Sequence, residues 1–213
     1  INSGTSSSSA LTVAWIRFLM EIGSHSLDTG PEAVALRAFK AEVAEFREPG
    51  GKMDHYSTAC GSIIHINFRP EIRISRLAAQ PGAFVLGDSL QSKDTTGILS
   101  RVKEPVLSIS SRLSKRYPGF SLHTLRSQDI DRFFGDLNND EISLLKGTVE
   151  NHEITRQARA LLEGKGDDKK RMGSLLTRHQ AILRDVLRIS TPKIDTMLDA
   201  ALSAGGLGGK ING

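Results

Sequence analysis

Cysteine is almost missing from this chain: Cys60 is the only one in 213 residues. A lone thiol cannot build an internal disulfide framework, and its rarity suits a reducing, cytoplasmic compartment. Aromatic residues are scarce at 5%, with one tryptophan, so the basic-aromatic platform of a nucleic-acid module is not there. Neither sign of charge dominates. Twenty-eight Lys and Arg stand against 24 Asp and Glu, a net charge of +4. That balance is compatible with phosphorylated small ligands but too weak and dispersed to argue for nucleic acid. No apolar run approaches the roughly 18 residues of a membrane-spanning helix. The stretch from Ala10 to Ile22 is no signal segment, because nothing basic precedes it and Arg17 interrupts it. The six histidines show no metal-ligand spacing.

What remains is an ordinary soluble composition, 38% hydrophobic, long enough for one large domain or two small ones. The chain starts at Ile1 and stops at Gly213 inside a glycine-rich run, which reads as part of a longer protein. Leu11, Ala14, Trp15, Phe18 and Ile22 fall at helical spacing and predict an amphipathic first helix. Pro31 sits where a helix favours its first residue, and Val34 to Phe46 continue a second helix to about Arg47. Pro49, Gly50 and Gly51 end it, and a short helix follows from Lys52 towards Gly61. The period then changes. Residues 62–68, 72–77 and 83–86 read as strands of a sheet packed on those helices, an α+β N-terminal portion. From Thr95 the chain is mostly helical, with breaks expected at Pro105 and at Pro118-Gly119. A stripe from Met172 to Leu187 predicts one more clear helix, in which His179 reads as a hydrogen-bonded core histidine. Thr191-Pro192 restarts a last one, and Lys210-Ile211-Asn212 looks like the start of a strand.

Three places could carry chemistry. The opening run Gly4, Thr5, Ser6, Ser7, Ser8, Ser9 lies directly against the first helix. It reads either as a plain cap or as a phosphate cradle, in which the free N–H groups and the positive end of the helix dipole converge. Glu42 and Glu45 are three apart and can share a helix side, as solvated residues or as metal ligands. Asp54 follows a glycine turn at a helix start, where it serves as an N-cap or as a carboxylate that receives a hydroxyl proton. A phosphate loop, a magnesium carboxylate and a second carboxylate are the parts phosphoryl transfer needs. Gly205 to Lys210 fails as a P-loop, being one residue short with Ile211 where serine or threonine is required.

These residues also carry a family resemblance. Gly4-Thr5-Ser6-Ser7-Ser8-Ser9-Ala10-Leu11 resembles the Gly-Leu-Ser-Ser-Ser-Ala motif of the galactokinase, homoserine kinase, mevalonate kinase and phosphomevalonate kinase (GHMP) superfamily. Gly51-Lys52-Met53-Asp54-His55 resembles the Gly-Ile-Met-Asp-Gln segment of its galactokinase branch, with His55 for glutamine and, in the first motif, Thr5 for leucine. Arg178-His179-Gln180, Leu183-Arg184-Asp185 and Ser190 to Asp195 are similar to the C-terminal helical part of those kinases, and Gly208 to Gly213 resembles the approach to their third, glycine-rich motif. The resemblance implies a two-domain α+β fold, with an N-terminal domain over residues 1–90 and a helix-rich C-terminal domain over 91–213. It implies an ATP-dependent kinase acting on a small-molecule sugar, with Mg2+ as cofactor and neither nucleic acid nor membrane as partner; a non-catalytic sugar and nucleotide sensor on the same fold is the alternative. Gly4, Thr5, Ser6, Ser7 and Ser8 would hold the nucleotide phosphates. Ser8 and Glu42 would bind the metal, with Glu45 as the substitute for Glu42, and Asp54 would be the catalytic carboxylate. The sugar-recognition motif and most of the third motif fall outside the chain, so these 213 residues alone are expected to be inactive.

Overall fold

A computed structural model describes residues 4–23, 28–47, 50–79, 81–91, 95–164 and 168–212. The chain divides into two compact units, Ile1–Ala79 with Asn212–Gly213, and Gln80–Ile211. The first holds α1 (Ser7–Gly23), α2 (Pro31–Phe39), α3 (Met53–Cys60) and the antiparallel pair β1 (Ile63–Asn67) and β2 (Arg73–Leu77). In the ladder Ile63 faces Leu77 and Asn67 faces Arg73. Pro31 occupies the first turn of α2 as expected, since its missing N–H would have no helical partner there.

At its C-terminal end α2 does not stop but loosens into a π-helical turn over Lys40–Ala44, in which the Glu45 N–H reaches back to the Lys40 carbonyl at 2.9 Å. The extra residue shifts the buried face. Val34 and Ala38 are buried four apart, but the next buried side chain is Val43, five further on. The loosened turn thereby lets Glu42 and Val43 both lean inward, a common device where a helix carries function.

Val13, Met20, Val34 and Ala38 form the core of this unit, with Ile16 and Ala59 against them. That reverses the expected facing of α1. Leu11, Trp15, Phe18 and Ile22 lie on the exposed side, Trp15 at 59% exposure, and the buried side is Ser9, Val13 and Met20. The helix is apolar on more than one side, so periodicity alone leaves two candidate faces. The neighbouring α2 presents Ala35 and Ala38, both fully buried, and such close packing takes the slimmer face.

The run 83–86 does not form the expected third strand. It carries no regular secondary structure, and Val85 is 94% exposed. Strand-forming residues need an edge to pair with, and among the described residues β2 pairs only with β1.

The second unit holds α4 (Thr95–Arg116), a 3-10 segment at Ser127–Asp136, α5 (Asn139–Glu163), α6 (Lys169–Ala181) with a π-helical turn at Ile182–Val186, and α7 (Pro192–Ser203). No strand occurs among its described residues. Its core gathers Ile109 and Leu113 of α4, Ile130 and Phe133 of the 3-10 segment, and Leu145 and Val149 of α5. Phe133 takes Tyr117 and Phe120 edge-on at 5.0 and 5.2 Å. Pro105 does not break α4, which runs through it; a proline removes one helical hydrogen bond and can be carried when the rest of the helix is packed. Residues 140–146 and 153–163 belong to a single helix, α5, whose start is a reciprocal capping box between Asn138 and Glu141. Thr191 caps α7 by accepting from the Ile194 N–H, with Pro192 in the first turn. The glycines after α7 serve a close approach: a Cβ on Gly173 of α6 would lie 2.1 Å from the Leu207 carbonyl oxygen. Residues 210–212 form no strand; the Ile211 N–H instead donates to Gln180 Oε1 at 2.7 Å. No helix of the described residues is long and apolar enough to cross a membrane.

Candidate active site

Three elements of the first unit meet around one carboxylate. Glu42, on the π-helical turn, takes the Ser9 hydroxyl of α1 at 3.5 Å on Oε1 and the His55 Nε2 of α3 at 2.8 Å on Oε2. The His55 side chain is 2% exposed and that of Glu42 is 23% exposed, so one oxygen edge of the carboxylate stays within reach of solvent and ligands. Phe39 packs edge-on against the imidazole at 5.7 Å, and the Lys52 ammonium lies 5.3 Å from the Phe39 ring centre.

The serine run approaches this carboxylate through backbone conformation. Gly4 and Ser6 both have positive φ, 68° and 57°, a state that suits glycine and costs a serine about 1 kcal/mol or more. The Ser6 carbonyl then accepts the Ala10 N–H at 2.8 Å, which starts α1 and leaves Ser7, Ser8 and Ser9 as its first turn. That turn contains no acidic residue, so the positive end of the helix dipole is not neutralised by the helix's own side chains. Ser8 is exposed and its carbonyl takes the Thr12 hydroxyl at 3.0 Å, whereas Ser9 is buried and faces Glu42. Thr5 is exposed, and Gly4, Ser6 and Ser7 are half-buried. Sequence reasoning singled out Ser8 and passed over Ser9. The signal was available, because Ser9 is four residues before Val13 and eleven before Met20, on the face that packs inward.

Asp54 stands in the first turn of α3, half-buried, its carbonyl accepting the Ser57 hydroxyl at 3.1 Å. Its neighbour His55 turns inward to Glu42, and successive helical residues diverge by about 100°, so Asp54 leaves the same turn in a more solvent-facing direction. Glu45 is exposed in the turn after Ala44. Further along α3, burial and then Glu32 raise the Tyr56 phenol and the Cys60 thiol above their ordinary values. Cys60 is a buried, packed thiol.

For magnesium, the donor chemistry is suitable: a serine hydroxyl and a carboxylate oxygen, both hard, lie 3.5 Å apart. Neighbouring ligands of an octahedral ion with bonds of 2.0–2.1 Å are about 2.9 Å apart, so the pair needs only a small closure. No cluster of three His, Cys, Asp or Glu that could hold a metal exists among the described residues; magnesium commonly takes one or two carboxylates and completes its shell with substrate phosphates and water.

In the second unit, the glycine-rich run at 205–209 leads to Lys210. Its ammonium donates to the Ile211 carbonyl at 2.6 Å, and burial lowers its pKa. Half-buried His179 is lowered by burial and then by Lys210. The buried polar residue of α6 is Gln180, whose amide donates to Ser190 Oγ at 3.0 Å and to Asp195 Oδ1 at 3.3 Å.

No family model matches the chain. It is 28% identical over 222 residues to a galactokinase of Streptomyces coelicolor, covering 99% of this chain and 54% of that protein. A galactokinase of Streptomyces lividans is 34% identical over 87 residues, 40% of this chain and 21% of that protein. Among solved structures, Lactococcus lactis galactokinase in complex with galactose superposes with a TM-score of 0.74 at 16% identity, over 98% of this chain and 54% of that one. The chain thus spans about half the length of the Streptomyces coelicolor and Lactococcus lactis proteins, and the structural likeness carries the α+β fold. The chain is similar to galactokinases along nearly its whole length and shares the fold of one of them.

Proposed function

We propose that this chain supplies the nucleotide-phosphate and metal-binding part of an ATP-dependent sugar kinase, which passes the γ-phosphoryl of Mg-ATP to a substrate hydroxyl. The observation that carries this reading is the meeting of a serine-rich helix start, the Glu42 carboxylate and the start of α3 in one place. In this reading Gly4, Thr5, Ser6, Ser7 and Ser8 hold the phosphates through the turn that begins α1. Glu42 and a serine hydroxyl hold magnesium; Ser8 is favoured by its motif position and Ser9 by its contact with the carboxylate. Bound magnesium would offset the phosphate charge. Asp54 accepts or orients the proton of the attacking hydroxyl, and such a group contributes roughly 10² to 10⁴ in rate.

The test uses the protein that contains this chain, with ADP release from Mg-ATP followed across a panel of sugars beginning with galactose, the ligand of the Lactococcus lactis complex. Sugar-dependent ADP release that falls by about 10² to 10⁴ in kcat for Asp54→Asn, with ATP affinity kept, is expected. Equal activity in that variant removes the assignment. Sugar and nucleotide binding without turnover would make the protein a sensor instead.

A further inference from the structure

The buried histidine beside Glu42 has no part in the chemistry above, and its surroundings suggest one. Resting on the proposed magnesium site, we infer that His55 is a positioning residue that aims the Glu42 carboxylate at the metal. A carboxylate only accepts hydrogen bonds, so across the 2.8 Å contact Nε2–H is the donor and Glu42 Oε2 the acceptor. Nδ1 is buried and meets no partner among the described residues. A histidine kept for stability alone would be expected to satisfy both nitrogens; here only the one that faces Glu42 is used. The ring cannot swing away, because Phe39 stands edge-on to it at 5.7 Å and the side chain is 2% exposed. Glu42, by contrast, sits on a loosened helical turn, with three rotatable side-chain bonds up to its carboxyl group. Pinning Oε2 to a fixed ring leaves Oε1 on the Ser9 side. Partners of this kind orient a metal ligand in advance, and their loss commonly weakens metal affinity 10- to 100-fold.

The test measures ADP affinity by calorimetry over a series of MgCl2 concentrations in the protein that contains this chain, with unfolding temperature in parallel and an EDTA arm. His55→Leu fills the same apolar space without a donor. It should raise the half-saturating magnesium concentration about 10- to 100-fold, with ADP affinity in EDTA unchanged. His55→Gln, whose amide N–H can reach Glu42, should stay within about threefold of the unsubstituted protein if the donor is what matters. Where His55→Leu gives no cooperative unfolding, His55→Asn, polar but too short to reach, replaces it with the same expectation. Equal magnesium dependence in the leucine variant overturns the inference, as does a glutamine variant as weak as leucine. A loss of ADP affinity in EDTA as large as that in magnesium also overturns it, since the role would then be general packing. If the unsubstituted protein shows no magnesium-dependent ADP binding, it is the magnesium site itself that fails.

Discussion

Replacing Glu42 by alanine should destabilise the protein even with no ligand present, and the amount follows from what the carboxylate touches. His55 Nε2 would lose a 2.8 Å bond to a charged acceptor while its side chain stays 2% exposed. Hydrogen bonds to charged groups are worth about 1.5–3 kcal/mol, and a buried donor left unpaired costs about 1–3 kcal/mol, two descriptions of one loss. The Ser9 contact, at 3.5 Å, lies at the limit of hydrogen bonding and adds little. Glu42 is itself 23% exposed, so water can follow into the vacated space and trim the cost to about 1–2 kcal/mol. Glu42→Gln keeps an acceptor oxygen and should cost less than about 1 kcal/mol. Equilibrium urea unfolding followed by circular dichroism reads this directly. With a slope of about 2 kcal/mol per molar urea, the midpoint should fall by about 0.5–1 M for alanine and by less than half of that for glutamine. An alanine variant within about 0.3 kcal/mol of the original protein, or a glutamine variant equally damaged, would refute the view that Glu42 organises the three elements.

Two further outcomes test the rest of the structure. The Arg112 guanidinium, at 2.8 Å, and then the Asn138 N–H hold the Glu141 carboxyl below its ordinary value of 4.5. A lowered folded-state value gives stability that is complete above pH 4.5 and is lost as the pH falls through that lowered value; melting temperatures across pH 2–7 should therefore fall less steeply on the acid side for Glu141→Gln. On α1, Trp15→Ser should change unfolding free energy by no more than about 0.5 kcal/mol while raising solubility. Val13→Ala should cost about 2 kcal/mol for its buried methyl groups, and the opposite ranking in chemical unfolding would restore the facing expected from periodicity.

The ends of the helices were legible because their signals are local. Pro31 and Thr191-Pro192 mark starts by what a helix's first turn does not need, a free N–H. Partner choice was not legible. Whether α1 turns Trp15 or Val13 inward depends on the small residues of α2 that it meets, and whether residues 83–86 become a strand depends on an edge elsewhere in the chain. Which serine faces Glu42, and that His55 grips its other oxygen, follow from a loosened turn at Lys40–Ala44. Its i to i+5 bonding leaves no mark in composition or spacing. The amino-acid order by itself determined where helices begin and which chemical groups are available; only the tertiary structure decided which of those groups share one carboxylate, because that depends on the rotation of each helix about its axis, and packing sets the rotation.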